Sequence, residues 1–94
     1  MKALVIEDNE SVLRLVREGL EAVGWTVDAA ASGDEGLALA IDAAQGYDLA
    51  VVDRMLPVVD GITIVRAMRE KGVATPVIVL TALGSVGNRI EGLD

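Results

Sequence analysis

Three short, uninterrupted apolar runs, residues 3–6, 49–52 and 77–80, punctuate a chain whose other apolar residues recur at helical spacing. Runs of this length, bounded by polar, Gly or Pro residues, suit strands buried on both faces. A weaker fourth run covers residues 25–30. Between them, Val12, Leu13, Leu15, Val16, Leu20 and Val23 form one wide stripe over residues 11–23, with Gly24 where a left-handed helix end belongs. A second helical stretch, residues 34–44, carries Leu37, Ala40, Ile41 and Ala44 on one face. A third, residues 61–71, carries Ile62, Ile64, Val65 and Met68. The reading is strand-helix three times and then a fourth strand. Such alternation predicts a doubly wound parallel α/β sheet with right-handed crossovers and its site at the strand C-terminal ends.

The strand ends are acidic. Residues 3–6 run into Glu7-Asp8, and residues 49–52 into Asp53. If these are neighbouring parallel strands, three carboxylates meet at one sheet edge. At about 4 Å and an effective dielectric of about 20, each pair repels by about 4 kcal/mol. A cation relieves that repulsion, and hard carboxylates with a backbone carbonyl and water suit Mg²⁺. An Asp carboxylate is also a nucleophile toward phosphorus, and Thr81 at the end of the next strand offers a hydroxyl.

Composition narrows the classes. The 94 residues make one small domain, residues 1–94, with an aliphatic core, since Trp25 and Tyr47 are its two aromatics. With no Cys and no His there is no disulfide, thiolate or imidazole metal site, and no histidine base. A net charge of −7 argues against nucleic-acid or anionic-lipid binding and for a cation or a basic partner. No apolar stretch reaches the roughly 20 residues that span a bilayer, and the one before Glu7 is too short for a signal peptide and runs straight into acids, so a cytoplasmic location is expected. The loop after residues 3–6 has no Gly-rich phosphate cradle.

Asp53-Arg54-Met55-Leu56-Pro57-Val58-Val59-Asp60-Gly61 resembles the phosphoacceptor loop of response-regulator receiver domains from two-component signalling. Glu7-Asp8-Asn9 resembles that family's acidic pair, and Val77-Ile78-Val79-Leu80-Thr81-Ala82 its fourth strand with the switch Ser/Thr. The resemblance covers essentially the whole chain, in order. It implies a flavodoxin-like fold and a Mg²⁺-dependent phosphoacceptor, Asp53, that takes a phosphoryl group from a histidine kinase. Asp8 would bind Mg²⁺ directly and Glu7 directly or through water. Met55 would add its backbone carbonyl, and Thr81 would bind the phosphoryl group and reorient. Pro57 and Gly61 would shape the loop, and Asp60 would cap the third helix. Such a chain is a signalling module and not an enzyme, with weak autophosphatase activity at most. An Asp-nucleophile phosphatase would want a second acid where Met55 stands.

The family places a Lys-Pro pair on a fifth strand, well beyond Thr81. The lysines here are Lys2 and Lys71, both expected at the opposite end of the sheet. The tail, residues 88–94, resembles the fourth helix of the winged-helix transcription-factor class. The expectation is therefore a truncated receiver with strand order 2-1-3-4, lacking the fifth strand and fifth helix. That leaves Val77-Ile78-Val79-Leu80 as an open edge and uncovers part of the first helix. Self-association through that edge, or by C-terminal exchange, is expected. The alternative function is a switch-incompetent interaction or dimerisation module.

Overall fold

The computed structural model describes the backbone of residues 1–82 and 88–93 and the side chains of residues 1–80. Four parallel strands, β1 (Lys2–Ile6), β2 (Thr26–Ala30), β3 (Leu49–Asp53) and β4 (Val77–Ala82), lie in the order 2-1-3-4. Helix α1 (Glu10–Ala22) covers one face, and α2 (Gly33–Ala40) with α3 (Gly61–Glu70) the other. The register sets Ile6 level with both Ala30 and Val52, and Asp53 level with Leu80. Glu7, Asp8 and Asp53 thus emerge at one sheet edge because their strands end together.

The alternation of each strand splits the core. Leu4, Ile6, Ala50, Val52, Val77 and Val79 pack beneath Ala40, Ile64, Val65 and Met68. Val5, Val27 and Val51 meet Leu13, Val16, Leu20 and Trp25 on the other face. That second face is thinly covered: no residue of α1 is fully buried, and Leu15 stays 71% exposed. At the far end of the sheet, the Lys2 Nζ donates to Gln45 O (3.1 Å) and pairs with Asp28 (3.7 Å). Tyr47 Oη donates to the same Asp28 carboxylate at 2.7 Å. Lys2 is therefore held at the opposite end from Asp53, as its sequence position implied.

Four expectations need correction. The second helix stops at Ala40, short of Ala44. Asp42 Oδ1 accepts from Ala44 N–H at 3.0 Å and starts a separate 3₁₀ turn, Ala43–Gln45. Asp is favoured in such caps and disfavoured within helices. The tail is not a fourth helix. Residues Asn88–Leu93 form β5, antiparallel to β4, from Val77↔Leu93 to Ala82↔Asn88. Gly84, Gly87 and Gly92 weaken a helix by about 1 kcal/mol each. The unpaired N–H and C=O groups of β4 reward any segment that folds back. A fifth strand is therefore present, but as a reversed edge strand rather than the parallel strand that the resemblance leads one to expect. The edge at Val77 to Leu80, expected to be open, is paired with β5.

Candidate functional site

Each acid reaches the site by a different route. Glu7 continues β1: its N–H donates to Ala30 O at 3.0 Å, and its Oε2 accepts from Asn9 N–H at 3.0 Å. Asn9 Oδ1 in turn accepts from Ser11 and Val12 N–H at 3.0 and 3.1 Å and caps α1. Asn9 supplies the cap, so Asp8 is not consumed by it. Asp53 ends β3, and its Oδ1 accepts from Met55 N–H at 3.1 Å. One carboxylate oxygen from each of Glu7, Asp8 and Asp53 lies within 4.8 Å of the other two.

The three acids are in unlike surroundings. Glu7 is only 5% exposed, Asp53 is half-buried and Asp8 is exposed. Burial pushes the Glu7 carboxyl up from 4.5 to about 7. The Asn9 N–H partly opposes this, and neighbouring Asp53 and Asp8 add to it. A buried carboxyl facing two others, with oxygen donors only, fits a hard divalent cation. Thr81 sits one residue beyond Leu80, which is level with Asp53. Its backbone lies in β4, and its side chain is outside the described residues.

The loop between β3 and α3 is clamped by close backbone approaches. Arg54 N–H donates to Leu80 O and Gly61 N–H donates to Arg54 O, both at 3.0 Å. A Cβ on Gly61 would lie 2.3 Å from Asp53 O, and one on Gly33 would lie 2.0 Å from Val59 O. Asp60 Oδ1 accepts from Thr63 N–H at 2.8 Å and caps α3, as expected. That bond holds the Asp60 carboxyl below the usual range. Beside the acids, Asp8, Arg54, Met55, Pro57 and Ile62 line an open cavity of about 750 Å³.

Sequence reasoning missed the conformation of Val58. Its φ is +72°, and Val59 N–H donates to Pro57 O at 2.8 Å. This is a γ-turn of the rare, strained hand, with a β-branched residue at its centre. Pro57-Val58-Val59 carries no Gly, Asn or Asp, so no sequence signal marks the turn. Val58 is also 84% exposed, so its side chain contributes little packing to offset the strain. Val58→Gly is expected to stabilise the fold by about 1 kcal/mol, relief of strain outweighing the looser unfolded chain. Urea unfolding measures this; an unchanged or lower midpoint would contradict the strain.

The model of the response regulator receiver domain matches residues 3–94. The chain belongs to the response-regulator receiver family. Receivers of this family are phosphoacceptor signalling modules of two-component systems, phosphorylated by histidine kinases. This receiver is 43% identical to the transcriptional regulatory protein ResD of Bacillus subtilis (strain 168) over 93 residues. The match takes in 99% of this chain and 38% of ResD. It also resembles the receiver domain of the sensor histidine kinase PA1611 of Pseudomonas aeruginosa PAO1, solved with a magnesium ion coordinated in the active-site cleft. That likeness has a TM-score of 0.79 at 32% identity, over 89% of this chain and 69% of the other. A response regulator from Burkholderia pseudomallei, solved with a phosphorylated aspartic acid, a calcium ion and citrate, is 30% identical with a TM-score of 0.76. There the match covers 90% of this receiver and 49% of the other chain.

Proposed function

We propose that Asp53 accepts a phosphoryl group from a histidine kinase, with Mg²⁺ held by Glu7, Asp8, Asp53 and the Met55 backbone carbonyl. The convergence of the three carboxylates within 4.8 Å carries this reading. Bound there, Mg²⁺ would supply the charge that screens the phosphoryl oxygens. An Asp53 oxygen attacks phosphorus while the P–N bond of the donor phosphohistidine breaks; the imidazole leaves with the bonding pair and takes up a proton. The β3 end orients Asp53, and its hydrogen bond from Met55 N–H fixes the carboxylate plane. Thr81, next along β4, would donate its hydroxyl to a phosphoryl oxygen. The module signals rather than turns over substrate. The reading implies a cytoplasmic location; among the described residues no helix is long and apolar enough to cross a membrane.

Incubation with acetyl phosphate and Mg²⁺, followed by intact-mass measurement, tests it. Wild type should gain one phosphoryl group and Asp53→Asn none. A folded wild type that never gains the mass would overturn the assignment.

A second reading, self-association, draws on two observations. β5 is an edge strand, and among the described residues it pairs with β4 alone, so a neighbouring chain can supply the same hydrogen bonds by exchange. The apolar stripe of α1, left part-exposed with Leu15 at 71%, adds apolar surface for a partner copy. Sedimentation should show a concentration-dependent dimer at tens of micromolar; a monomer throughout refutes this reading.

A further inference from the structure

We propose that Arg54 is a phosphoryl-binding residue, its guanidinium engaging the phosphoryl oxygens on Asp53 from the cavity side. The inference rests on the phosphoacceptor reading and extends it to a residue for which the family resemblance supplies no role. Arg54 is the one cation among the described residues lining the cavity of about 750 Å³, whose wall also includes Asp8 of the acid cluster. Its backbone is pinned on both sides, N–H to Leu80 O and C=O to Gly61 N–H, each at 3.0 Å. The residue after the phosphoacceptor therefore starts from a fixed point, between the end of β4 and the start of α3.

Charge points the same way. Once Asp53 is phosphorylated its own carboxylate charge is gone, but Glu7, Asp8 and the dianionic phosphoryl group still outweigh one divalent cation, so the loaded site wants further positive charge. Lys2 is committed at the far end of the sheet to Gln45 and Asp28. A guanidinium offers planar, paired donors that match phosphoryl oxygens, and it stays charged at every working pH. Arg54 also opposes metal loading electrostatically, because it is a cation beside a cation site. The two ligands should therefore respond to its removal in opposite directions.

The test compares Mg²⁺ binding with Mg²⁺-dependent beryllofluoride binding, the latter a phosphoryl mimic, in wild type, Arg54→Gln and Arg54→Lys. Arg54→Gln should weaken beryllofluoride about tenfold or more while Mg²⁺ binds equally or more tightly. Arg54→Lys should recover part of the loss, since it restores charge without the paired donors. With acetyl phosphate, Arg54→Gln should raise KM with the melting temperature unchanged. Beryllofluoride affinity equal to wild type in Arg54→Gln overturns the proposal. So does a parallel loss of both ligands, which marks a structural role. A wild type that binds Mg²⁺ but no beryllofluoride overturns the phosphoacceptor reading and this inference with it. If Asp53 takes up phosphate normally in Arg54→Gln at unchanged KM, the inference alone falls.

Discussion

Glu7→Gln is expected to stabilise the metal-free protein by up to about 3 kcal/mol at pH 8 and by almost nothing at pH 4.5. The size follows from the displacement of the Glu7 carboxyl from 4.5 to about 7. Below pH 4.5 both folded and unfolded chains hold the proton, and burial costs nothing extra. Between 4.5 and 7 the unfolded chain releases its proton while the folded one keeps it, so stability falls as pH rises. Above 7 the buried carboxylate is charged, and the whole penalty is present. Asp60, held below the usual range by Thr63 N–H, acts in the opposite sense, and only in stronger acid. The net charge of −7 also lowers stability as pH rises, but nearly equally in both proteins. The difference between Glu7→Gln and wild type therefore isolates the buried acid. Gln keeps an oxygen for the Asn9 N–H, which spares the local turn.

Metal should reverse the sign. Mg²⁺ should raise the melting temperature of wild type more at pH 8 than at pH 6, since a proton on Glu7 competes with the ion. Glu7→Gln should lose most of that gain. Asp53→Asn should lose it too but relieve less of the pH slope, because burial rather than Asp53 is the larger cause of the Glu7 displacement. Thermal unfolding over pH 4.5–8, with and without Mg²⁺, measures all of this. A wild-type stability that rises steadily from pH 5 to pH 8 without metal would contradict the buried position of Glu7.

Gly61→Ala is expected to cost about 3 kcal/mol, at the top of the overpacking range, and to lower the melting temperature by roughly 15 °C. The new Cβ would lie 2.3 Å from Asp53 O and 3.0 Å from Arg54 Cα. Neither atom belongs to a flexible side-chain end; both are backbone, one at the last residue of β3 and the other at the first residue of the loop after it. The clash can be relieved only by moving α3 away or by shifting Asp53. The first sacrifices the Gly61 N–H bond to Arg54 O, and the second spreads the acid cluster. Mg²⁺ affinity should therefore fall along with stability. Gly19→Ala is the control. It lies inside α1 with nothing within 4 Å of a new Cβ, so it should stabilise by about 1 kcal/mol. Wild-type stability and metal affinity in Gly61→Ala would show that the loop gives way more easily than this packing allows.

Periodicity carried the four parallel strands because continuous apolar runs and helical stripes are local properties of the chain; their order, 2-1-3-4, came from the family resemblance. The acids were legible for the same reason: strand ends are visible in sequence, and parallel strands end together. The first and third helices began where Asn9 and Asp60 cap them, within a residue of the expected start. The second helix broke early at Asp42, whose side chain found a backbone partner that periodicity alone does not weigh. The tail went further astray. Its likeness to a helix is local, whereas the reward for pairing comes from β4, a strand set by packing against β3.

The sequence by itself determined which residues become the four parallel strands, which carboxylates share an edge and that both lysines lie too far away to help. Only the tertiary structure decided that Glu7 is the buried member of the three acids, that Val58 takes a left-handed turn, and that Gly33 and Gly61 admit backbone where a Cβ would not fit. Those outcomes depend on distances between segments remote in the chain. Desolvation and steric exclusion arise only when such segments meet, so no pattern of residue types along one segment encodes them.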